Sequence, residues 1–173
     1  SGLVGSEMCI RDRNEDGARY VQAPTITIAA PTTRTIATAK VSTTDDTITV
    51  DAGHNMRTGT KLTYTSGGTN MEVGGSSLAD STAVFVINTG STTAFKIASN
   101  LANALAGTAL SITGTGNNAQ TFVGDTATAT ATVSGGVVTG ITVSAVGSDY
   151  QAAPAVTVEV PKMTIPTSAV NAG

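Results

Sequence analysis

Residues 126–161, TATATATVSGGVVTGITVSAVGSDYQAAPAVTVEVP, hold the pattern that decides the fold of this chain. From Thr126 to Val133, threonine alternates with alanine or valine, which places one residue type on each face of a β-strand. Ser134-Gly135-Gly136 predicts a hairpin turn, because glycine tolerates the positive φ that such turns require. Val137 to Val146 is then the return strand, with Gly140 marking a bulge or bend.

The end of this stretch repeats a pattern that occurs near the N-terminus. Residues 17–31 are GARYVQAPTITIAAP and residues 147–161 are GSDYQAAPAVTVEVP, at a constant offset of 130 residues. Both fit Gly-x-x-Tyr-x-x-Ala-Pro-x-(Ile/Val)-Thr-(Ile/Val)-x-x-Pro. A repeat this long indicates whole modules rather than solenoid rungs. We expect each copy to be a turn followed by a strand. In a longer parent protein the first copy would complete a preceding module; in this chain we expect it either to be exposed or to pair with an edge of residues 125–160.

Short strands are predicted for most of the sequence between the two copies, because threonine, valine and isoleucine alternate with small residues between glycine, asparagine and aspartate turns. In Lys61–Thr65, Leu62 and Tyr64 share one face. The apolar run Ala83–Ile87 predicts a strand buried on both faces. The other predicted strands are 25–28, 35–42, 47–50, 94–97, 110–113 and 120–123.

One helix is predicted, over residues 98–106, ASNLANALA. Leu101 and Leu105 lie four residues apart and so share one helical face. Ser99 is the expected N-cap and Gly107 the expected C′ residue. A helix of about two turns is unstable alone, so this one must pack against a sheet.

These elements predict an all-β protein: an antiparallel sandwich-like module with one short helix, followed by a small β-meander module. The predicted division is a leader at 1–13, the tail of a preceding repeat at 14–40, the sandwich-like module at 41–124, the hairpin module at 125–161 and a linker at 162–173.

The first thirteen residues, SGLVGSEMCIRDR, share no pattern with the rest of the chain. They resemble translated sequencing-adapter sequence of the kind found at the ends of metagenomic assembly fragments; the alternative is a genuine disordered arm. They contain the only cysteine, Cys9. Without Cys9 the remaining chain can form neither disulfides nor thiolate metal sites.

Composition narrows the classes of function. The formal net charge is -3, and the seven basic residues after Arg13 are scattered singly, whereas phosphate binding needs clustered lysine and arginine. No apolar run approaches the 18 residues or so of a transmembrane helix. Nucleic acid and membrane are therefore not expected partners.

Two segments resemble known structural repeats. Residues 134–158, SGGVVTGITVSAVGSDYQAAPAVTV, resemble a repeat of large virion structural proteins of tailed bacteriophages, especially contractile-tailed phages of marine cyanobacteria. Residues 47–124 resemble a module of phage structural and bacterial surface proteins, through His54, TGTKLTY at 58–64, VFVI at 84–87 and FKIASNLANALAGTAL at 95–110. The second segment departs from that pattern at Asn55-Met56 and at Ala83-Val84-Phe85, which affects packing rather than chemistry.

Candidate chemistry is sparse. His54 with Asp45, Asp46 and Asp51 could hold a metal ion or a general base, but a zinc site needs three or four converging ligands. We expect a structural histidine on a loop rim and turn-capping aspartates, with Ca²⁺ binding by the aspartates as the alternative. Gly114–Asn118 lacks the lysine and helix of a phosphate loop and predicts a turn.

The three tyrosines are candidates for binding a carbohydrate. Tyr20, Tyr64 and Tyr150 could stack on a carbohydrate, but the shared repeat position of Tyr20 and Tyr150 favours packing. No catalytic, cofactor-binding or metal-binding residue is predicted, and the chain is not expected to be an enzyme.

The resemblance implies a segment of a phage virion protein, in the tail, a fibre or the head surface, that acts as a rigid repeat scaffold. Its expected partners are other virion subunits or copies of itself, with host surface glycans as a further possibility. The alternatives are a bacterial surface adhesin segment and a carbohydrate-binding module. A tyrosine at position 64 or 150 that is more than half accessible would favour sugar binding.

Overall fold

A computed structural model describes residues 20–161 and contains fourteen strands and one short α-helix in that range. The elements in chain order are β1 Ile26–Ile28, β2 Arg34–Ile36, a 3₁₀ turn Thr38–Lys40, β3 Val41–Ser42, β4 Thr47–Thr49, β5 Lys61–Thr65, β6 Glu72–Val73, β7 Ser76–Ser77, β8 Thr82–Asn88, β9 Ala94–Ala98, α1 Leu101–Leu105, β10 Ile112–Gly114, β11 Gln120–Gly124, β12 Thr128–Ser134, β13 Val137–Ala145 and β14 Val156–Val158. The all-β prediction is confirmed. Residues 1–13 and 162–173, the predicted leader and linker, lie outside the described residues.

The main layer is a seven-stranded antiparallel sheet in the order β2-β11-β5-β8-β9-β4-β3. Alternation along β5 buries Leu62 and Tyr64 on one face, as expected. Three rings meet in the core: the centroid of Phe122 lies 5.4 Å from that of Tyr64 and 6.2 Å from that of Phe95. A three-stranded sheet, β10-β6-β7, lies beside this layer, and its Ile112 belongs to the same core.

Three details of this sheet differ from the sequence-based expectation. The sheet begins before the predicted boundary at residue 41, because β2 pairs with β11 from Arg34 to Ile36. The stretch 35–42 is not one strand, since the 3₁₀ turn interrupts it. Strand β8 is fully buried on one face only, at Val84 and Val86, while Phe85 and Ile87 are half-buried.

The helix forms inside the predicted window but is shorter, Leu101–Leu105 rather than 98–106, and Ala98 belongs to β9. Its N-cap is Asn100, whose side chain accepts a hydrogen bond from Asn103 N, rather than Ser99. It contacts β8 and β9, as the expectation that it packs against a sheet requires. Leu101 and Leu105 are 46% and 67% exposed, whereas Ala104 is 1% exposed, so Ala104 is the buried residue of the helix.

A second layer is built from residues 20–31 and 125–161, and we call it the paired-copy layer. Strands β12 and β13 form the predicted hairpin, with Gly135 and Gly136 at φ 60° and 82°. The register shifts where Gly140 pairs with Thr132, which confirms the predicted bulge. Strand β1, from the first sequence copy, pairs with β14, from the second, and also bridges to β12 through Thr25 and Thr130.

Candidate functional site

The only histidine is part of the core. His54 is 2% exposed, so the prediction that it lies on a loop rim is wrong in its exposure, although its segment is a loop. Its Nδ1 accepts a hydrogen bond from Met56 N at 3.0 Å, and its Nε2 lies 3.0 Å from the carbonyl oxygen of Ser91. These partners define the Nε2-protonated tautomer and occupy both ring nitrogens. His54 therefore holds its loop in place.

The three aspartates near His54 in sequence have separate structural partners. Asp45 exchanges hydrogen bonds with Ser42 in the turn before β4. Asp46, at φ 55°, accepts a hydrogen bond from Ile112 N at 2.7 Å. Asp51 is 85% exposed and forms an ion pair with Lys40 at 2.9 Å. Residues 20–161 contain no group of three or more His, Cys, Asp or Glu side chains that could hold a metal ion.

The predicted turn at 114–118 is a loop of residues 115–119, because Gly114 ends β10, and this loop is hydrogen-bonded to a neighbouring loop. Asn117 donates to Gly67 O at 3.2 Å and its Oδ1 accepts from Gln120 Nε2 at 2.7 Å. Gln120 Nε2 also donates to Thr69 O at 2.8 Å. The polar groups of this turn therefore bind the loop at 66–70 rather than a ligand. In the part of the chain that the structure describes, no helix is long and apolar enough to cross a membrane.

Tyr64 is buried and belongs to the same hydrogen-bond network through Gln120. Its hydroxyl donates to Gln120 Oε1 and accepts from Met71 N at 2.7 Å. Desolvation raises the pKa of Tyr64 above its usual value, the hydrogen bond from Met71 N opposes this, and the charge of Asp80 adds to it. All six aromatic side chains of the protein are buried or half-buried.

Sequence analysis missed a buried ion pair between the two layers. Arg34 Nε donates to Asp149 Oδ2 at 2.8 Å and Arg34 Nη2 donates to Asp149 Oδ1 at 2.7 Å. Their side chains are 6% and 1% exposed, and Arg34 Nη2 also donates to His54 O. Asp149 has φ 58°, a conformation that Asp adopts more readily than most residues. The Gly-Ser-Asp-Tyr turn could have suggested that conformation, but not its partner 115 residues away.

The two sequence copies pair with each other about a local two-fold axis. Thr27 is opposite Thr157, and these residues occupy the same position of the repeat. The flanking main-chain hydrogen bonds obey the same symmetry: Ala29 N donates to Ala155 O at 2.9 Å, and Glu159 N donates to Thr25 O at 3.0 Å. Adding 130 to the number of Ala29 gives Glu159, and subtracting 130 from that of Ala155 gives Thr25, so the repeat offset converts one hydrogen bond into the other.

The repeated tyrosines extend this symmetry to side chains. Tyr20 Oη donates to Glu159 O at 2.8 Å, and Tyr150 Oη donates to Ala29 O at 2.9 Å. Each tyrosine thus fastens its own copy to the main chain of the other copy, at equivalent positions. Small clefts lie beside both, one lined by residues 20–24, 159 and 160 and the other by residues 30–32 and 150–154. A tyrosine at this repeat position thus makes the same contact between the copies in both of its occurrences.

Comparison with known proteins identifies no relative: no protein-family model, curated protein or solved structure matches this chain.

Proposed function

We propose that this chain is a segment of a phage virion structural protein, of the tail, a fibre or the head surface, in which tandem modules act as a rigid scaffold. The observation that carries the proposal is the two-fold pairing of the sequence copies. A protein built from successive modules needs a fixed geometry at each junction, and two copies joined by main-chain and tyrosine hydrogen bonds supply one.

The junction also restrains the direction of the chain. Strands β1 and β14 are antiparallel neighbours. The end of β1, from which the chain continues into the seven-stranded sheet, therefore lies beside the start of β14, where the chain arrives from the hairpin. The ion pair between Arg34 and Asp149 then ties this pair to the large sheet. Such an arrangement fixes the distance between the point where the chain enters the module and the point where it leaves, and a rigid scaffold of repeats requires that distance to be constant.

The charged and polar side chains support a structural role. His54, Asp46, Arg34 and Asp149 all serve contacts within the fold. Tyr64, one of the three tyrosines that could stack on a sugar, is 0% exposed. Tyr20 and Tyr150 are partly buried, and the hydroxyl of each is hydrogen-bonded within the paired-copy layer.

Mass spectrometry of gradient-purified phage particles, from a sample in which the gene is detected, tests the proposal. The tryptic peptide spanning residues 62–96 identifies the protein, because cleavage follows Lys61 and Lys96 with no basic residue between them. We expect this peptide in the particle fraction, together with phage capsid peptides. Immunogold labelling with an antibody against residues 20–161 would then place it on tail, fibre or head. Recovery only in bacterial envelope fractions would replace the proposal with the adhesin alternative.

A further inference from the structure

The local two-fold symmetry of the paired-copy layer is incomplete. Strand β1 has neighbours on both sides, β14 on one and β12 on the other, where Thr25 bridges Thr130. Strand β14 pairs only with β1 among the described residues. Its other edge corresponds, through the 130-residue offset, to the edge of β1 that β12 occupies.

The main-chain groups on this edge of β14 have no partner strand among residues 20–161. Successive residues of an antiparallel strand direct their amides alternately to the two sides. Ala155 O and Glu159 N bond to the first copy, so the amides of Val156 and Val158 are directed to the opposite side. Both side chains are also accessible, at 54% and 36%. An edge of accessible β-branched residues is suited to receiving another strand.

Two further atoms, Tyr20 Oη and Tyr150 N, lack the hydrogen bond to the hairpin that the equivalent atom of the other copy makes among the described residues. Tyr150 Oη accepts a hydrogen bond from Ala127 N, at the start of the β12–β13 hairpin, while no described residue donates to Tyr20 Oη. Conversely, Tyr20 N donates to Gly136 O in the turn of that hairpin, and no described residue accepts from Tyr150 N. The hairpin contacts Ala127–Tyr150 and Gly136–Tyr20 therefore have no counterpart on the other copy among the described residues.

From these three vacancies we infer that the outer edge of β14 is a docking site for a second β-hairpin of the type formed by residues 125–146. The occupant is the hairpin that precedes the first copy in a longer tandem chain, so this inference rests on the tandem organisation in the proposed function. The hairpin that precedes the second sequence copy lies against β1 of the first copy, and the added hairpin, which precedes the first copy, would lie against β14 of the second. A junction then becomes a two-fold symmetric sheet in which consecutive modules exchange hairpins.

The test duplicates the hairpin within the full chain. A second copy of residues 125–146 replaces residues 1–16, so that it directly precedes Gly17 as the original directly precedes Gly147. Hydrogen exchange of the Val156 and Val158 amides is compared with that of the unmodified chain. We expect exchange at both amides to slow by at least about tenfold, because a new ladder protects them. Unchanged exchange in the folded duplicate overturns the inference.

A matched control separates docking from a general gain in stability. Thr130→Pro in the added copy alone disrupts its strand, since proline cannot occupy a central strand position. The control should return Val156 and Val158 to their original exchange rates and leave the Phe122 amide unchanged. Protection that persists in this control overturns the inference. So does protection that rises with concentration in the unmodified chain, which would assign the edge to a second copy of β14.

A peptide measurement covers the case in which the duplicated chain does not fold. A peptide of residues 125–146, cyclised end to end, is added in excess to the unmodified chain. Circular dichroism first establishes that the cyclised peptide forms the hairpin, since an isolated hairpin is only marginally stable. Slower exchange at Val156 and Val158 then supports docking, and no change at saturating folded peptide refutes it. Either result concerns only this edge, whereas detection of the protein in virions concerns the proposed function, so the two can fail separately.

Discussion

The seven-stranded sheet and the paired-copy layer are stabilised in different ways. The sheet encloses a continuous core around Phe95, Phe122 and Tyr64, all 0% exposed. In the paired-copy layer Pro24 and Pro31 are the fully buried apolar residues; none from residue 125 to 161 is fully buried, and Ile141 and Val143 are about half exposed. Main-chain ladders, tyrosine hydrogen bonds and two ion pairs to the sheet, Arg34–Asp149 and Lys61–Asp125, hold that layer instead. A β-structure without its own core depends on the layer to which it is fastened.

The largest expected effect tests whether the core is confined to the sheet. Phe122→Ala should lower the free energy of unfolding by about 3–5 kcal/mol, because it leaves a cavity among fully buried rings. Val143→Ala in the hairpin should cost less than about 1 kcal/mol, because that side chain is 55% exposed. Urea denaturation measures both variants. Similar losses would mean that the hairpin has a core of its own and would remove the contrast.

The ion pair between the layers should come next in size. Asp149→Asn keeps a residue that tolerates positive φ but leaves the buried guanidinium of Arg34 without a countercharge, so we expect a loss of about 3 kcal/mol. Asp125→Asn is the control: its ion pair with Lys61 is nearly half exposed and should be worth less than about 1 kcal/mol. Equal losses of unfolding free energy in the two variants would show that burial of the Arg34–Asp149 pair does not increase its contribution to stability.

Alkaline pH should weaken the sheet through Tyr64. Burial raises its pKa in the folded protein above the usual value of 10.0, so the unfolded chain releases this proton first. The contribution is fully present below pH 10 and is lost as pH rises towards the folded-state pKa, at a slope of up to about 1.4 kcal/mol per pH unit. Thermal unfolding at a series of pH values measures it. Tyr64→Phe should abolish this component of the slope, whereas Tyr150→Phe should keep it.

The smallest effect concerns the symmetry of the paired copies. Tyr150→Phe removes two hydrogen bonds and Tyr20→Phe removes one, so we expect losses of about 1–2 and about 1 kcal/mol. Equilibrium denaturation with a probe in the hairpin, or local hydrogen exchange, resolves the difference. A larger loss from Tyr20→Phe would show that the two tyrosines do not have equivalent roles.

The outcome for individual residues shows where sequence reasoning was sufficient. Alternation predicted the buried face of β5, and the glycine pair at 135–136 predicted the hairpin turn, because both follow from local backbone geometry. The buried residue of α1 could not be predicted from spacing. Spacing groups Leu101 with Leu105, but the tertiary structure buries Ala104 and leaves both leucines exposed. His54 was placed in a loop correctly, yet its burial depends on Phe95 and Ser91, which lie far along the chain.

Within this chain, the sequence by itself determined the strands, their turns and the existence of two equivalent segments, because period-two alternation and glycine backbone freedom act over a few residues. Only the tertiary structure decided that those segments pair with each other, that Arg34 meets Asp149, and that one edge of β14 has no partner among residues 20–161. The first two contacts join residues more than 100 positions apart. Such contacts require the two ends of the chain to lie side by side, and no pattern within a few residues encodes which distant segment will be the neighbour.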